Sequence, residues 1–507
     1  MWSIERFQSS SATKRFQGWN SPKTLARLPR GGPSRRKTGA RAVELLTAQI
    51  ESNPGDKTAH YLIGYCFLHQ NQLDQAVAAL RLALRLAPEM LDVHEKLAIA
   101  LHRRGEPTAA IAHWEAILQR HPTHVSSWLS AAHALGDCGR WDKAQWCLHR
   151  AESLASDDKD VTRNLGVLYS ELGDDDLALM YFNRALARDP NCPAAKTGKA
   201  CALLAKGEFR SGWPLYQSRW KHRTLRHSSL PLTHELRDDQ LIFGEQGIGT
   251  EIMFATCLNE AQLDVAATWY ECDPRLTDLM RRSFPGVHVL PANTANNLHP
   301  NFTSEIGIGS LPHYNRYEPK QFQRRAKYLH ADRRLRNHWQ QRLSAIGPGL
   351  KVGFSWRGGV GNQSWRRSPP IEAWKPLLQS PGIHGINLQY GDVSRELQQL
   401  ENDCQITLHQ WPDLDVTNDL DQLAALIENL ALVVCVANSN AHLTGALGVP
   451  GLVLVPTAAD WRWRHPSGRM MWHPTLNLIR QQSPHTWGDT CLELTDTFRN
   501  WLRFSNR

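Results

Sequence analysis

The chain has 507 residues, of which 41% are hydrophobic and 21% are charged, so it is expected to fold into several domains rather than around one core. No apolar run approaches the ~20 residues of a membrane span, and the N-terminus lacks the apolar core of a secretory signal. The ten cysteines form no Cys-x-x-Cys pair, which argues against a metal site or a disulfide framework and favours a cytoplasmic location.

Residues 1–38 form a strongly basic tail, which contributes much of the formal net charge of +9. Its basic side chains are accompanied by a single acidic residue, Glu5. Such a segment is expected to be solvated and disordered, and we do not expect it to bind nucleic acid. Its content of arginine and serine is also typical of an organelle transit peptide.

Residues 39–226 contain a repeat with a step of 34 residues, which is the period of the tetratricopeptide repeat. The pattern predicts four full copies, each a pair of helices, with partial copies at both ends. Such arrays present a concave groove that holds a protein or peptide, and a spacer or a surface for homo-oligomer formation is the alternative. Two columns that carry the period are Pro54, Pro88, Pro122 and Pro190, and Ala76, Ala110, Ala144 and Ala178.

From residue 227 onward, strands alternate with helices, and this alternation predicts parallel sheets. Residues 227–346 are predicted to form one lobe, which includes a glycine loop at residues 244–249 and a charged helix at residues 321–346. Residues 347–485 are predicted to form a second lobe, and residues 486–507 a closing helix. The glycine loop does not match the dinucleotide-binding fingerprint, although its glycines permit close approach of a ligand.

The second lobe contains an apolar strand at residues 432–436, followed after Ala437 by Asn438, Ser439, Asn440 and a helix that includes His442. A strand that turns directly into a helix leaves the first backbone N–H groups of that helix unpaired, which creates a potential anion site. An ordinary capped helix is the alternative. Ligands of open α/β sheets bind at the carboxyl ends of the strands. Loops at other predicted strand ends carry Arg357, Gln389 and Asp460.

Several motifs together resemble those of bacterial tetratricopeptide-repeat glycosyltransferases. The catalytic half is similar to lipopolysaccharide heptosyltransferases, and the layout is similar to that of protein O-GlcNAc transferases. The resemblance implies an α-solenoid followed by a GT-B pair of Rossmann-like lobes that face each other across a cleft. The motifs are GEQGIG at 244–249, GFSWRGG at 353–359, LQYGD at 388–392, HLTGALGVP at 442–450 and DWRW at 460–463.

The same resemblance implies a metal-independent transferase without a cofactor, which uses a nucleotide sugar as co-substrate. The acceptor would be a protein held by the repeats, for example flagellin or another surface protein. Arg357 would pair with the diphosphate, because its planar guanidinium can bind two phosphate oxygens. The predicted donor-binding residues are Gly247, Gly249, Arg357, Gln389, Asn438, Ser439, Asn440, His442 and Asp460.

For several of these residues an ordinary structural role is the alternative. Arg357 could be a surface arginine, His442 a core histidine with satisfied hydrogen bonds, and Asp460 the cap of a turn.

The sequence departs from the family pattern at two places. Thr250 stands where relatives have an aspartate that is the favoured catalytic base, so the next residue, Glu251, is predicted to accept the proton. Ala437 likewise replaces an aspartate of the donor site. These departures support a second hypothesis, a repeat scaffold with a catalytically impaired domain. A lipopolysaccharide sugar transferase is a third hypothesis, but it leaves the repeats without a role.

Overall fold

The computed structural model describes residues 33–222, 233, 240–261, 268–292, 302–322, 326–358, 368–483 and 486–505. The chain forms two compact units, and the division between them falls between Leu165 and Gly166. Residues 1–32 of the predicted basic tail lie outside the described part. Within that part, no helix is long and apolar enough to cross a membrane.

The first part of the described chain is a succession of helices. Helices α2, α4, α6 and α8 begin at residues 57, 91, 125 and 159, so the predicted 34-residue repeat is confirmed. The first helix begins at Pro33, ahead of the predicted end of the tail at residue 38. The helices are α1 (Pro33–Ser52), α2 (Lys57–His69), α3 (Leu73–Leu86), α4 (Leu91–Arg103), α5 (Pro107–Arg120), α6 (Val125–Asp137), α7 (Trp141–Leu154), α8 (Lys159–Leu172), α9 (Asp175–Arg188), α10 (Pro193–Ala205) and α11 (Phe209–Tyr216).

Small residues allow the helices of each pair to approach closely. A Cβ atom added to Gly64 on α2 would come within 2.7 Å of the Leu80 side chain on α3. The same addition at Gly166 on α8 would come within 2.8 Å of Phe182 on α9. Because protein interiors are packed without spare volume, larger residues at these positions would force the helices apart.

Beyond residue 239 the chain forms two parallel sheets. The first has the order β3-β2-β1-β4 and the second the order β6-β5-β7-β8-β9. The strands are β1 (Gln240–Phe243), β2 (Thr268–Cys272), β3 (Val287–Pro291), β4 (Ser304–Gly307), β5 (Leu350–Ser355), β6 (Ile383–Asn387), β7 (Leu432–Val436), β8 (Gly451–Val455) and β9 (Leu476–Arg480).

The remaining helices connect these strands or follow them. They are α12 (Ile248–Phe254), α13 (Leu258–Ala261), α14 (Thr277–Ser283), α15 (Pro312–Asn315), α16 (Arg333–Ala345), α17 (Lys375–Leu378), α18 (Ser394–Cys404), α19 (Leu420–Ile427), α20 (Ser439–Ala446) and α21 (Gly488–Ser505). The prediction of one helix over residues 321–346 was wrong, because α16 begins only at Arg333. Asp332 fixes that start by accepting hydrogen bonds from the backbone N–H groups of Arg334 and Leu335.

In each sheet the strand order reverses at one point. In the first sheet β2 and β3 lie on one side of β1, and β4 pairs with its other side. In the second sheet β6 lies on one side of β5, whereas β7, β8 and β9 continue on the other. The points between β1 and β4 and between β5 and β7 are therefore topological switch points, where α/β sheets open a crevice for ligands.

The last helices of the array belong to the same compact unit as the two sheets. Trp213 on α11 donates a 2.7 Å hydrogen bond from its indole N–H to the carbonyl oxygen of Arg316, after α15. Asp175, the first residue of α9, forms a 3.1 Å ion pair with Arg464, which follows β8. The final repeats thus form part of the α/β unit rather than a separate body.

Candidate functional site

The two switch points carry the loops that the sequence analysis singled out, and they meet. The glycine loop follows β1 and leads into α12, while Asn438 follows β7 and leads into α20. A Cβ atom added to Gly249 on α12 would lie 2.9 Å from Cδ2 of His442 and 3.3 Å from Cα of Ser439. Glycine is therefore required where the first turns of α12 and α20 contact each other.

The first turn of α20 is fixed by side-chain amides. Asn438 caps the helix, because its Oδ1 accepts a backbone N–H of the first turn. Its Nδ2 donates to Oγ of Ser355 at 2.9 Å and to the carbonyl oxygen of Arg357 at 3.0 Å. Nδ2 of Asn440 donates to the carbonyl oxygen of Leu388 at 2.7 Å. These amides position the loop, so the groups left for an anion are backbone N–H groups of the first turn.

Gln389 belongs to the same polar network. It is 2% exposed, and its Oε1 accepts hydrogen bonds from the backbone N–H of Arg357 at 2.6 Å and from Oγ of Ser355 at 3.2 Å. These bonds tie the ends of β5 and β6 together. Contact between Gln389 and a nucleotide base stays a prediction.

The guanidinium of Arg357 lies at the rim of this site, with 35% of its side chain exposed. Its Nη1 forms a 3.0 Å ion pair with Glu396 on α18, and its Nη2 donates to the carbonyl oxygen of Asp392 at 2.7 Å. An open surface depression of about 470 Å³ is lined by Gly391 and residues 412–417, and a Cβ atom on Gly391 would lie 3.9 Å from Nη2 of Arg357. Arg357 is thus oriented next to a space that a ligand could enter.

His442 points into the interior and pairs with His473. Nδ1 of His442 and Nε2 of His473 lie 3.1 Å apart, and both side chains are buried. Burial lowers the pKa of His473 to about 3 and holds the pKa of His442 well below its usual value. Both imidazoles are therefore neutral near pH 7, which favours the core role for His442 over that of a charge partner.

The carboxylate of Glu251 on α12 is 2% exposed. Its Oε2 accepts hydrogen bonds from the hydroxyl of Tyr270 and from the backbone N–H of Asp273, both at 3.0 Å. It also lies under the glycine loop, since a Cβ atom on Gly244 would come within 2.2 Å of it. Glu251 joins α12 to the end of β2, and its role as a proton acceptor stays a prediction.

Asp460 caps a turn and also pairs with an arginine that the prediction did not include. Its Oδ1 accepts from the backbone N–H of Arg462 at 3.1 Å and from the guanidinium of Arg462 at 2.6 Å. Nη2 of Arg462 donates to the hydroxyl of Tyr216 on α11 at 3.0 Å and to Oε1 of Gln246. Arg462 thereby joins the last repeat helix, the glycine loop and the second sheet.

The first switch point is filled by a buried ion pair. Glu245 of the glycine loop accepts hydrogen bonds from Arg219 at 2.6 and 3.0 Å and from the backbone N–H of Gly309 at 2.8 Å. The side chains of Arg219 and Glu245 are 7% and 2% exposed. Arg219 follows α11, so the end of the array neutralises a loop carboxylate. The exposed Gly247 completes this loop with a φ of 101°.

Four of these residues were not among those predicted from the sequence. Arg462 and Glu245 lie inside motifs that were recognised, but nothing in one sequence indicates their partners. Arg219 and His473 are far from those partners along the chain, so only the fold brings the pairs together.

Comparison with known proteins supports the repeat array. The tetratricopeptide repeat family model matches residues 39–90, 74–125 and 129–193. Protein FlbA of Caulobacter vibrioides is 25% identical over 509 residues, which covers 94% of this chain and 80% of FlbA. The chain therefore carries tetratricopeptide repeats, and it has a relative that extends across both sheets.

Several solved repeat proteins are similar to part of the chain. A thermophilic TPR protein of Thermus thermophilus is 19% identical with a TM-score of 0.29 and covers 32% of this chain and 88% of its own. A tetratricopeptide repeat protein from Parabacteroides merdae is 15% identical with a TM-score of 0.35 and covers 38% of this chain and 76% of its own.

Proposed function

We propose that the protein is a metal-independent glycosyltransferase of the GT-B type, which moves a sugar from a nucleotide sugar to a protein bound by the repeats. The observation that carries this proposal is the contact between Gly249 and the first turn of α20, which brings the loop after β1 next to the loop after β7. Switch points are where α/β folds bind nucleotides, and two facing lobes supply both a donor side and an acceptor side.

The donor diphosphate would lie along the first turn of α20. Backbone N–H groups near Ser439 would stabilise the negative charge that develops on the leaving diphosphate. Arg357 would add a charged hydrogen bond, worth about 1.5–3 kcal/mol. Because Arg357 pairs with Glu396 at 3.0 Å, the diphosphate would displace the Glu396 carboxylate or share the guanidinium with it. The open depression of about 470 Å³ at Gly391 would take the nucleoside.

In the transfer step the bond between the sugar C1 and the diphosphate oxygen breaks, and a bond forms between C1 and the acceptor hydroxyl oxygen. The hydroxyl proton must pass to a base. Asp460 suits this role better than Glu251, because its side chain is 40% exposed, whereas Glu251 is 2% exposed and accepts two hydrogen bonds. Arg462 holds Asp460 next to the glycine loop through Gln246.

The second candidate function is a repeat scaffold whose α/β part has lost catalysis. The burial of Glu251 favours this candidate, as do the internal hydrogen bonds of Asn438, Asn440 and Gln389. Tetratricopeptide arrays bind protein or peptide partners without help from an enzyme domain.

An incorporation assay separates the two candidates. Radiolabelled UDP-, GDP-, ADP- and CMP-sugars would each be incubated with the purified protein and with protein extract of its host that lacks the gene. The transferase predicts label in one protein band with one donor. If the protein is folded and no donor gives a labelled band, the scaffold function would be supported instead.

Two isosteric variants then assign the base. We expect Asp460→Asn to lower turnover by about 10²–10⁴-fold while nucleotide-sugar binding stays unchanged, since general base catalysis contributes that much. Glu251→Gln should retain most turnover. If Glu251→Gln lowers turnover and Asp460→Asn does not, Glu251 is the catalytic base, as the sequence predicted.

A further inference from the structure

The repeat array holds a cluster of side chains that the transferase proposal does not use. His102 lies near the end of α4, and His133 and Asp137 lie one turn apart on α6, the first helix of the next repeat. Their ligand atoms, imidazole nitrogens and a carboxylate oxygen, all lie within 4.8 Å of one another. Nε2 of His102 and Oδ2 of Asp137 are 2.6 Å apart.

We propose that His102, His133 and Asp137 form a binding site for a divalent transition-metal ion, such as Zn²⁺, between two neighbouring repeats. Two imidazoles and one carboxylate are a donor set that such ions prefer, and three protein ligands leave a position for water or a partner's side chain. Ligand atoms of a tetrahedral zinc site lie roughly 3.3 Å apart, so only small side-chain movements are needed.

The surroundings favour a cation at this place. The side chains of His102 and Asp137 are only 8% and 17% exposed, so the carboxylate has lost much of its hydration. The two neighbouring arginines at the end of α4, Arg103 and Arg104, are engaged by other partners. Arg103 donates to Asn71 at 3.1 Å, and Arg104 pairs with Asp74 at 3.3 Å and with Glu106 at 2.6 Å.

The geometry also explains why no sequence motif indicates the site. Its ligands come from two repeats, and the pair on α6 has the spacing of four residues that places side chains on one helix face. The expectation of no metal rested on cysteine spacing, which does not report on histidines brought together by stacked repeats.

Binding would be tested with the full-length protein, without a histidine tag and under reducing conditions. Co²⁺ would be titrated and its visible d–d absorption followed, and Zn²⁺ would be titrated by calorimetry. We expect one ion per chain with the intense bands of four-coordinate Co²⁺. His133→Gln and Asp137→Asn should each weaken binding by at least about tenfold.

The matched control is His94→Gln. His94 and His113 place two ring nitrogens 3.1 Å apart in the same unit. Among the described residues, no carboxylate lies close enough to these two histidines to complete a metal-binding group. This control is needed because the chain has 23 histidines, any of which could bind metal weakly. His94→Gln should bind Co²⁺ within about twofold of wild type, since it leaves every proposed ligand in place.

Three outcomes would overturn the proposal. The first is a wild-type protein that binds neither ion, and the second is binding that His133→Gln and Asp137→Asn leave unchanged. The third is a thiolate-to-Co²⁺ charge-transfer band that disappears in Cys138→Ala, which would assign the metal to the cysteine after Asp137. Circular dichroism of the metal-free variants would establish that each is folded, and either of the two ligand variants suffices for the test.

Discussion

At the scale of single residues, the Arg219–Glu245 ion pair stabilises the first switch point. Both side chains are almost fully buried, at 7% and 2% exposure. Arg219→Met would leave the Glu245 carboxylate buried without its cation. We expect the free energy of unfolding to fall by about 3–5 kcal/mol, measured by urea denaturation.

The control for this prediction is Arg499→Met on α21. Arg499 pairs with Asp496, but the two side chains are 58% and 77% exposed, so the change should stay within about 0.5 kcal/mol. Equal effects of the two substitutions would contradict the assignment of a structural role to the buried pair.

The His442–His473 pair makes stability depend on pH. Unfolded histidine has a pKa of ~6.5, whereas burial lowers that of folded His473 to about 3, so only the unfolded chain takes up the proton between these values. The stabilising contribution of neutral His473 is therefore complete above about pH 6.5 and is lost as pH falls towards 3, by ~1.4 kcal/mol per pH unit.

Unfolding free energies measured between pH 7 and pH 5 would test this dependence. His473→Gln should reduce the slope relative to wild type, whereas His338→Gln, at an exposed position on α16, should leave it unchanged. The same slope in all three proteins would show that the buried pair does not govern acid stability.

At the scale of elements, α20 depends on Asn438 for its start. The side chain caps the helix and also donates to Ser355 and Arg357. Asn438→Ala should lower the free energy of unfolding by about 1–3 kcal/mol, because it removes the cap and the two hydrogen bonds that Nδ2 donates. Asn438→Ser can restore the cap alone and should recover part of the loss. Indistinguishable stabilities of the two variants in thermal unfolding would contradict a capping role.

Elements with strong apolar patterns could be predicted, whereas others could not. Strand β7 has the predicted bounds, Leu432–Val436, and is buried along its whole length. Strand β4, Ser304–Gly307, was missed because its sequence, Ser-Glu-Ile-Gly, contains one large apolar residue. It is stabilised by pairing with β1, a long-range contact that a local pattern does not report.

At the scale of the whole molecule, the succession of a repeat array and two parallel sheets was predictable, because each part has its own sequence pattern. The array repeats every 34 residues, and the sheets show strands that alternate with helices. In the structure Gly249 lies against the first turn of α20, which begins after Asn438. What the sequence could not supply was the partner of each polar side chain. Gln389 and Asn440 were predicted to contact ligand, yet their amides form internal hydrogen bonds.

The central claim is that the switch point of the second sheet binds a diphosphate with the help of Arg357. Calorimetric titration with UDP, GDP, ADP and CDP would compare wild type with Arg357→Ala and with Arg395→Ala, an exposed arginine on α18. We expect one nucleoside diphosphate to bind, Arg357→Ala to weaken it by at least about tenfold, and Arg395→Ala to stay within about twofold. Absence of binding by all four, or equal binding by wild type and Arg357→Ala, would contradict the account.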